Sequence, residues 1–308
     1  MNAVYFNTRG GPETLVYGAA TMPRAGEGEI VVRVRAAAVT PTELLWVPTW
    51  TTRAGKPRPF PIIPGHEFSG EVHALGSGVN DVAVGDAVFG VNDWFGDGAQ
   101  AEFCVACSAD VAPKPTSIDH VTAAVVPISA LTAWQGLVER AKLTRGERVL
   151  VHGAAGNVGL FAVQIAHGIG AHVIATASGH NLEFVRSLGA DEVIDYRARS
   201  FEDAVTGVDV VFDTVGGDTL ARSWGVLRLG GRMVTTAADA EHTREQRVKD
   251  AFFIVEPNRE QLTRISRMID AGKLRVFVGA AFPLQEASQA YTHKPVRGKN
   301  VLVVDRLM

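Results

Sequence analysis

The sequence predicts an α/β fold, with a doubly wound parallel-sheet domain joined to a β-rich, barrel-like domain. Three observations carry this expectation. The apolar run Arg148-Val149-Leu150-Val151-His152 passes through Gly153-Ala154-Ala155-Gly156-Asn157-Val158-Gly159 into Leu160-Phe161-Ala162-Val163-Gln164-Ile165-Ala166, which reads as strand, tight turn and apolar helix. From about residue 120 to 256, strand and helix patterns alternate. Residues 3–119 instead carry short apolar strands punctuated by Gly and Pro.

In chain order, Ile30-Val31-Val32-Arg33-Val34 and Val82-Ala83-Val84 read as strands of the first domain, and so does the run 101–106. The parallel-sheet candidates are residues 149–152, 172–175, 192–194, 208–212, 232–235 and 252–255, a six-strand pattern. Beyond Pro257, Leu262, Ile265, Met268 and Ile269 fall at helical spacing and Gly272 supplies a stop. A strand at 274–278, a helix near 284–291 and a strand at 301–304 are too few for a third domain. They are expected to return to the first, so the domains are 1–119 with 257–308, and 120–256.

With 308 residues, 46% of them hydrophobic, the chain can bury a sizeable core. A formal net charge of −3 without a Lys/Arg cluster excludes an electrostatic footprint for nucleic acid or an anionic membrane surface, leaving small-molecule ligands. The first residues lack the basic-then-apolar order of a signal peptide, so a cytoplasmic location is expected. The stretch between Arg148 and Glu183 has no Asp, Glu, Lys or Arg, but its glycines, histidines, Asn157 and Gln164 suit buried strands and a buried helix better than a membrane span. Cys104 and Cys107 stand in C-x-x-C spacing without a second pair and inside a strand-like run, so they are read as reduced structural residues.

Ala154-x-Gly156-x-x-Gly159 is a variant of the dinucleotide fingerprint. A small residue permits the turn, Gly156 admits the phosphates, and Gly159 lets the helix lie close to the sheet. The backbone N–H groups of Ala155, Gly156, Asn157 and Val158 are therefore candidate pyrophosphate ligands.

These features, with Gly65-His66-Glu67-Phe68-Ser69-Gly70, Val84-Gly85-Asp86-Ala87-Val88-Phe89-Gly90, Ala101-Glu102-Phe103, Leu131-Thr132-Ala133-Trp134 and Leu188-Gly189-Ala190-Asp191, resemble the medium-chain dehydrogenase/reductase superfamily. The resemblance is to its zinc-independent, quinone-oxidoreductase-like branch and covers essentially the whole chain. It implies a Rossmann domain plus a GroES-like barrel domain, a nicotinamide cofactor, and a homodimer formed through the nucleotide-binding domains. The apolar run 252–255, as a last strand, would offer the edge for such pairing.

Metal-dependent relatives hold catalytic zinc with two Cys and one His. His66 matches the His, whereas Thr40 and Ile128 occupy the thiolate positions, and the four-Cys structural lobe is missing. No metal is expected. At the end of the second Rossmann strand, Ala177-Ser178-Gly179-His180-Asn181 lacks the acid that would select NAD, so NADPH is expected. Ser178, His180 and Tyr196 are candidate 2′-phosphate contacts, with His180 contributing while protonated. The resemblance also assigns Thr132, Val215, Gly216, Phe253, Val255 and Lys299 to the cofactor.

Hydride transfer demands position more than acid–base groups. Thr40 stands where the family commonly places Asn, and Leu45 where it has Tyr, which leaves the Thr40 hydroxyl as the catalytic candidate. Trp46, Trp50, Phe60 and Trp94 are expected to line an apolar pocket for a small electrophile. The reading is an NADPH-dependent reductase of quinones or of the β-carbon of α,β-unsaturated carbonyls. Alternatives are an alcohol/aldehyde oxidoreductase of the same superfamily, or an NADPH-binding sensor or structural protein with weak turnover.

Overall fold

The structure, a computed structural model, describes residues 1–241 and 243–304. The first segment holds strands β1 (Asn2–Phe6), β2 (Leu15–Ala19), β3 (Glu29–Ala38), β4 (Glu67–Leu75), β5 (Ala87–Val91), β6 (Phe103–Cys107) and β7 (Val111–Pro113), with short helices α1 (Val47–Trp50) and α2 (His120–Ala124). Helix α3 (Pro127–Trp134) then leads to β8 (Arg148–Val151), α4 (Asn157–Ile169), β9 (His172–Ala177), α5 (Leu182–Ser187), β10 (Glu192–Asp195), β11 (Val208–Asp213), α6 (Gly217–Ser223), β12 (Leu227–Thr235) and α7 (Gln246–Ala251). Helix α8 (Arg259–Asp270), β13 (Val278–Pro283), α9 (Ala287–Thr292) and β14 (Lys299–Val303) complete the described chain.

Two compact units result, Met1–Ile128 with Pro257–Met308, and Ser129–Glu256. Residues 305–308 of the first lie outside the described residues. The first break falls at 128/129, not at 119/120, because the segment between belongs to the barrel. Asp119 caps α2 by accepting from the Thr122 N–H at 2.7 Å, and Ala124 and Val125 bury themselves against Ala36, Ala38 and Val301.

In the barrel unit the strand order is β13-β14-β3-β4-β5-β7, with β6 also on β3. Strand β3 can serve three partners because it is ten residues long and shifts register at 31/32 and 34/36, which bends it. Alternating residues Ile30, Val32 and Val34 enter the core with Phe68, Val72 and Val88. In β6 the same alternation sends Cys104 inward and Cys107 outward, so the two thiols stand on opposite faces, and burial pushes the Cys104 thiol well up.

Two expected strands of this unit are corrected. Residues 82–84 form a turn, since the Asp86 carboxylate accepts from the Ala83 N–H and the Asp86 N–H bonds back to Ala83 O. Residues 274–277 precede the strand that starts at Val278. The Lys273 and Leu274 N–H groups bond to Met268 O and finish α8 instead of entering a sheet. Helix α8 itself follows its pattern. Asn258 caps it through the Gln261 N–H at 2.9 Å, Leu262, Ile265 and Ile269 are buried, and Ser266 donates to Pro113 O.

The second unit carries a parallel sheet in the order β10-β9-β8-β11-β12, the doubly wound arrangement the sequence predicts. Its central strands β8, β9 and β11 are mostly apolar and buried along nearly their whole length, as strands covered on both faces require. The sixth candidate, residues 252–255, is not a strand. It contributes a single bridge, Phe252 with Thr235, before the Glu256 N–H is taken by Gln135 Oε1 and Glu256 O by Gln135 Nε2. Among the described residues no helix is long and apolar enough to cross a membrane.

Candidate functional site

In the Rossmann-like unit the site begins where β8 ends. Gly153 takes φ +70, so the left-handed residue of the turn lies one position before Ala154. A Cβ on Gly159 would stand 2.2 Å from Gly153 O, which is why α4 can start directly beneath the turn. Gly156 is the N-cap and no side chain caps the helix, so the first-turn N–H groups of Asn157 and Val158 have no side-chain acceptor. This cradle, with positive dipole end and glycine-thin walls, fits a pyrophosphate.

Two buried polar groups missed at sequence level stiffen it. His152 is 1% exposed and lies between Thr176 Oγ1 and Ser223 Oγ, each at 3.0 Å. Ser223 gives its hydroxyl proton to Thr219 O, so it accepts from His152 Nε2–H and Thr176 donates to Nδ1. The ring is thereby neutral, and burial followed by the Arg222 charge lowers its pKa to about 3. Asp213, also buried, accepts from the N–H groups of Val215 and Gly216 and from Thr235 Oγ1 at 2.8 Å. Desolvation raises its pKa against those hydrogen bonds. It shapes the loop that presents Val215, which is exposed, and Gly216.

At the end of β9, Ser178 is buried and His180 exposed, their Oγ and Nε2 3.4 Å apart, with Asn181 Nδ2 donating to both. The Tyr196 N–H bonds Ala177 O, which brings the exposed Tyr196 to the same strand end. The end of β9 itself carries no acid, but the neighbouring strand β10 brings one beside it. Asp195, in register with Ala177, places a carboxylate oxygen 2.7 Å from where a Cβ on Gly179 would be. Arg197, exposed and 5.8 Å from the Tyr196 ring centroid, supplies a guanidinium the sequence reading passed over. Thr132 is buried on α3, Phe253 is buried with its N–H on Thr235 O, and Val255 is half-buried.

In the barrel unit the candidate residues cluster around two buried carboxylates. Glu43, 1% exposed, accepts from the Gly65 N–H at 2.6 Å and faces His66 Nδ1 at 2.8 Å. His66 Nε2 is buried and unpartnered. The His66 ring lies 5.5 Å from Trp94, which meets Trp46 edge-on at 5.6 Å, and both tryptophans are half-buried. Glu67 Oε1 accepts from Thr40 Oγ1 at 3.3 Å and from the Lys299 ammonium, and Oε2 from the Ile128 N–H at 3.0 Å.

Two assignments fall here. Lys299 is 5% exposed and its ammonium is bound to Glu67, so it is no free cofactor ligand. Trp50 is core, packed with Phe6 and Ile62 and donating its indole N–H to Leu44 O at 2.8 Å. Phe60 is surface-exposed and Leu45 more so. Glu43 and Glu67 escaped the sequence reading, although Glu67 sits inside a quoted motif.

A zinc centre needs three protein donors. Around His66 the donors are one imidazole nitrogen, a neutral threonine hydroxyl engaged with Glu67, a Glu67 carboxylate already bound by an ammonium, and a Glu43 carboxylate whose Oε1 is taken by the Gly65 N–H and faces the far ring nitrogen, Nδ1. Ile128, at the other thiolate position, offers no donor side chain. This set does not fit the metal, and among the described residues no group of three or more His, Cys, Asp or Glu could hold one.

Residues 26–116 match the model of the alcohol dehydrogenase GroES-like domain, and residues 188–302 that of the zinc-binding dehydrogenase family. A probable zinc-binding oxidoreductase, mitochondrial, from Arthroderma benhamiae is 32% identical over 92% of this chain and 90% of its own. An Arabidopsis thaliana NADPH-dependent alkenal/one oxidoreductase, chloroplastic, is 33% identical over 95% of this chain and 76% of its own. The structure of the quinone oxidoreductase from Coxiella burnetii superposes with a TM-score of 0.89 at 30% identity, covering 99% of each chain.

Proposed function

We propose a function from one premise: the chain belongs to the medium-chain dehydrogenase/reductase superfamily, in its quinone-oxidoreductase-like branch. It is an oxidoreductase of the NAD(P)H-binding kind. Our reading is an NADPH-dependent, zinc-independent reductase of quinones or of the conjugated double bond of α,β-unsaturated carbonyls. It acts in the cytoplasm as a homodimer on small apolar electrophiles and binds neither nucleic acid nor membrane. The relatives' names, quinone oxidoreductase and alkenal/one oxidoreductase, support the acceptor class.

The bound nicotinamide supplies a hydride. The residues supply position. The N–H groups of residues 155–158 would hold the pyrophosphate at the head of α4, and Ser178, His180 and Tyr196 would hold the 2′-phosphate. Thr132, Val215, Gly216, Phe253 and Val255 would bind the riboses and the carboxamide. Trp46 and Trp94 give a flat acceptor an apolar wall, and Thr40 stands at its oxygen or α-carbon.

The donor set around His66 is the observation that carries the choice of chemistry. A lone imidazole nitrogen with a threonine hydroxyl polarises a carbonyl weakly. The hydride therefore goes to the β-carbon, where the conjugated carbonyl stabilises the resulting charge as an enolate. NADPH deuterated at the transferred position tests this, with the label expected on the β-carbon of an enone product. Label on the carbonyl carbon, giving an allylic alcohol, overturns the reading. A second reading, an alcohol/aldehyde oxidoreductase, is favoured by the unpartnered His66 Nε2 oriented by Glu43. Stoichiometric zinc whose chelation abolishes turnover would establish it. Light scattering at micromolar concentration tests the dimer.

A further inference from the structure

We propose that Lys299, Glu67 and Thr40 form a proton relay that protonates the α-carbon of the product enolate on one face. The proposal rests on the enone-reductase reading above. Glu67 Oε1 is shared by the Lys299 ammonium and the Thr40 hydroxyl, while the Ile128 N–H holds Oε2 and so fixes the plane of the carboxylate. Lys299 and Glu67 are 5% and 1% exposed, whereas Thr40 is half-buried, so the hydroxyl is the one end of the chain open to a ligand. A buried ammonium–carboxylate pair is costly to desolvate, and an apolar pair of equal volume serves stability as well or better. A pair that moves a proton has a reason to stay ionic.

The step balances. A hydride reaching the β-carbon leaves the former π pair on the enolate. Thr40 rotates its hydroxyl from Glu67 toward the α-carbon and gives its proton there, forming the new C–H bond. Glu67 Oε1 takes a proton from Lys299 Nζ and passes it to Thr40 Oγ1. Thr40 and Glu67 end as they began, and Lys299, left as an amine, regains its proton after product release through the same chain in reverse, from water at the Thr40 hydroxyl by way of Glu67 Oε1. No oxidant or reductant beyond the hydride is used.

An α-methyl cyclic enone creates a stereocentre at the α-carbon and tests the relay. Early-time chiral chromatography of the wild-type product should show one α-epimer in excess, with cofactor deuterium on one face of the β-carbon. Thr40→Val should slow turnover by roughly 10²-fold, the usual share of a general acid. It should also erase the α-preference while the β-label keeps its face, which a merely structural role would not do. The doubly neutral variant Lys299→Met/Glu67→Gln should behave likewise, and it decides the matter if Thr40→Val fails to fold. A racemic α-centre from the wild type, an α-preference surviving in these variants, or its loss in His66→Asn alone would overturn the relay and leave the enone reading intact. A wild type inert toward all enones would overturn both.

Discussion

Asp213 and Glu67 are buried carboxylates, one in each unit, satisfied in opposite ways. Asp213 is held by N–H groups two and three residues along the chain and by one threonine hydroxyl, without a countercharge. Glu67 is held by an ammonium 232 residues away, by Thr40 and by the Ile128 N–H. The contrast extends to each unit's candidate residues. The Rossmann-like unit presents backbone N–H groups whose geometry a few glycines enforce, and the barrel unit presents side chains that meet only because distant strands pair. A backbone site tolerates side-chain change and breaks on a Cβ. A side-chain site breaks when one charge loses its partner.

The largest effect should come from breaking the barrel half. Lys299→Met leaves Glu67 charged and buried and should cost about 3–5 kcal/mol in urea unfolding. Adding Glu67→Gln should recover most of the loss, and a double-mutant cycle with no coupling would show that the pair is not linked in solution.

On the nucleotide half, Gly159→Ala adds one carbon where Gly153 O stands 2.2 Å away. Overpacking of this kind costs up to about 3 kcal/mol, and displacement of the helix should weaken NADPH binding more than tenfold by calorimetry. Normal affinity would show that the cradle does not depend on the close approach of α4.

His152 gives the nucleotide half a pH signature. Its folded pKa, about 3, lies below the ordinary value of 6.5, so the unfolded chain takes the proton first. Its stabilising contribution is intact above 6.5 and is lost as pH falls toward 3. Glu147 and Asp270, held down to about 2 mainly by Arg232 and by Ser117 respectively, lose theirs only below their ordinary values of 4.5 and 3.8. Between pH 6.5 and 4.5 the wild type should therefore lose about 2 kcal/mol that His152→Gln does not. Parallel profiles would mean that water reaches the ring.

The smallest effects concern cofactor choice. His180→Ala should lower the NADPH-over-NADH preference roughly tenfold, and Asp195→Asn should raise it about threefold by removing a like charge from the phosphate. Equal affinities in the wild type would sink the NADPH assignment.

The glycine turn, helix α4, the five parallel strands and the return of residues 257–304 to the barrel were legible in the sequence. Hydrophobic period and glycine placement are local properties, and each parallel strand centres on a short apolar stretch whatever its neighbours. The sixth strand misled for the same reason: Phe252-Phe253-Ile254-Val255 has strand composition, but Gln135 captures Glu256 and turns the chain away. Residues 82–84 misled too, because a single Asp86 side chain outweighs the β-propensity of two valines.

By itself the sequence determined the fold class, the family and the glycine turn at the head of α4, all carried by residues adjacent in the chain. Only the tertiary structure decided that Lys299 neutralises Glu67, that Trp50 is core while Trp46 meets Trp94 edge-on, and that Asp195 stands beside Gly179. A charge or an aromatic ring has no preferred neighbour at a given sequence separation, so its partner is chosen by strand register and by the burial that makes an unpaired group intolerable.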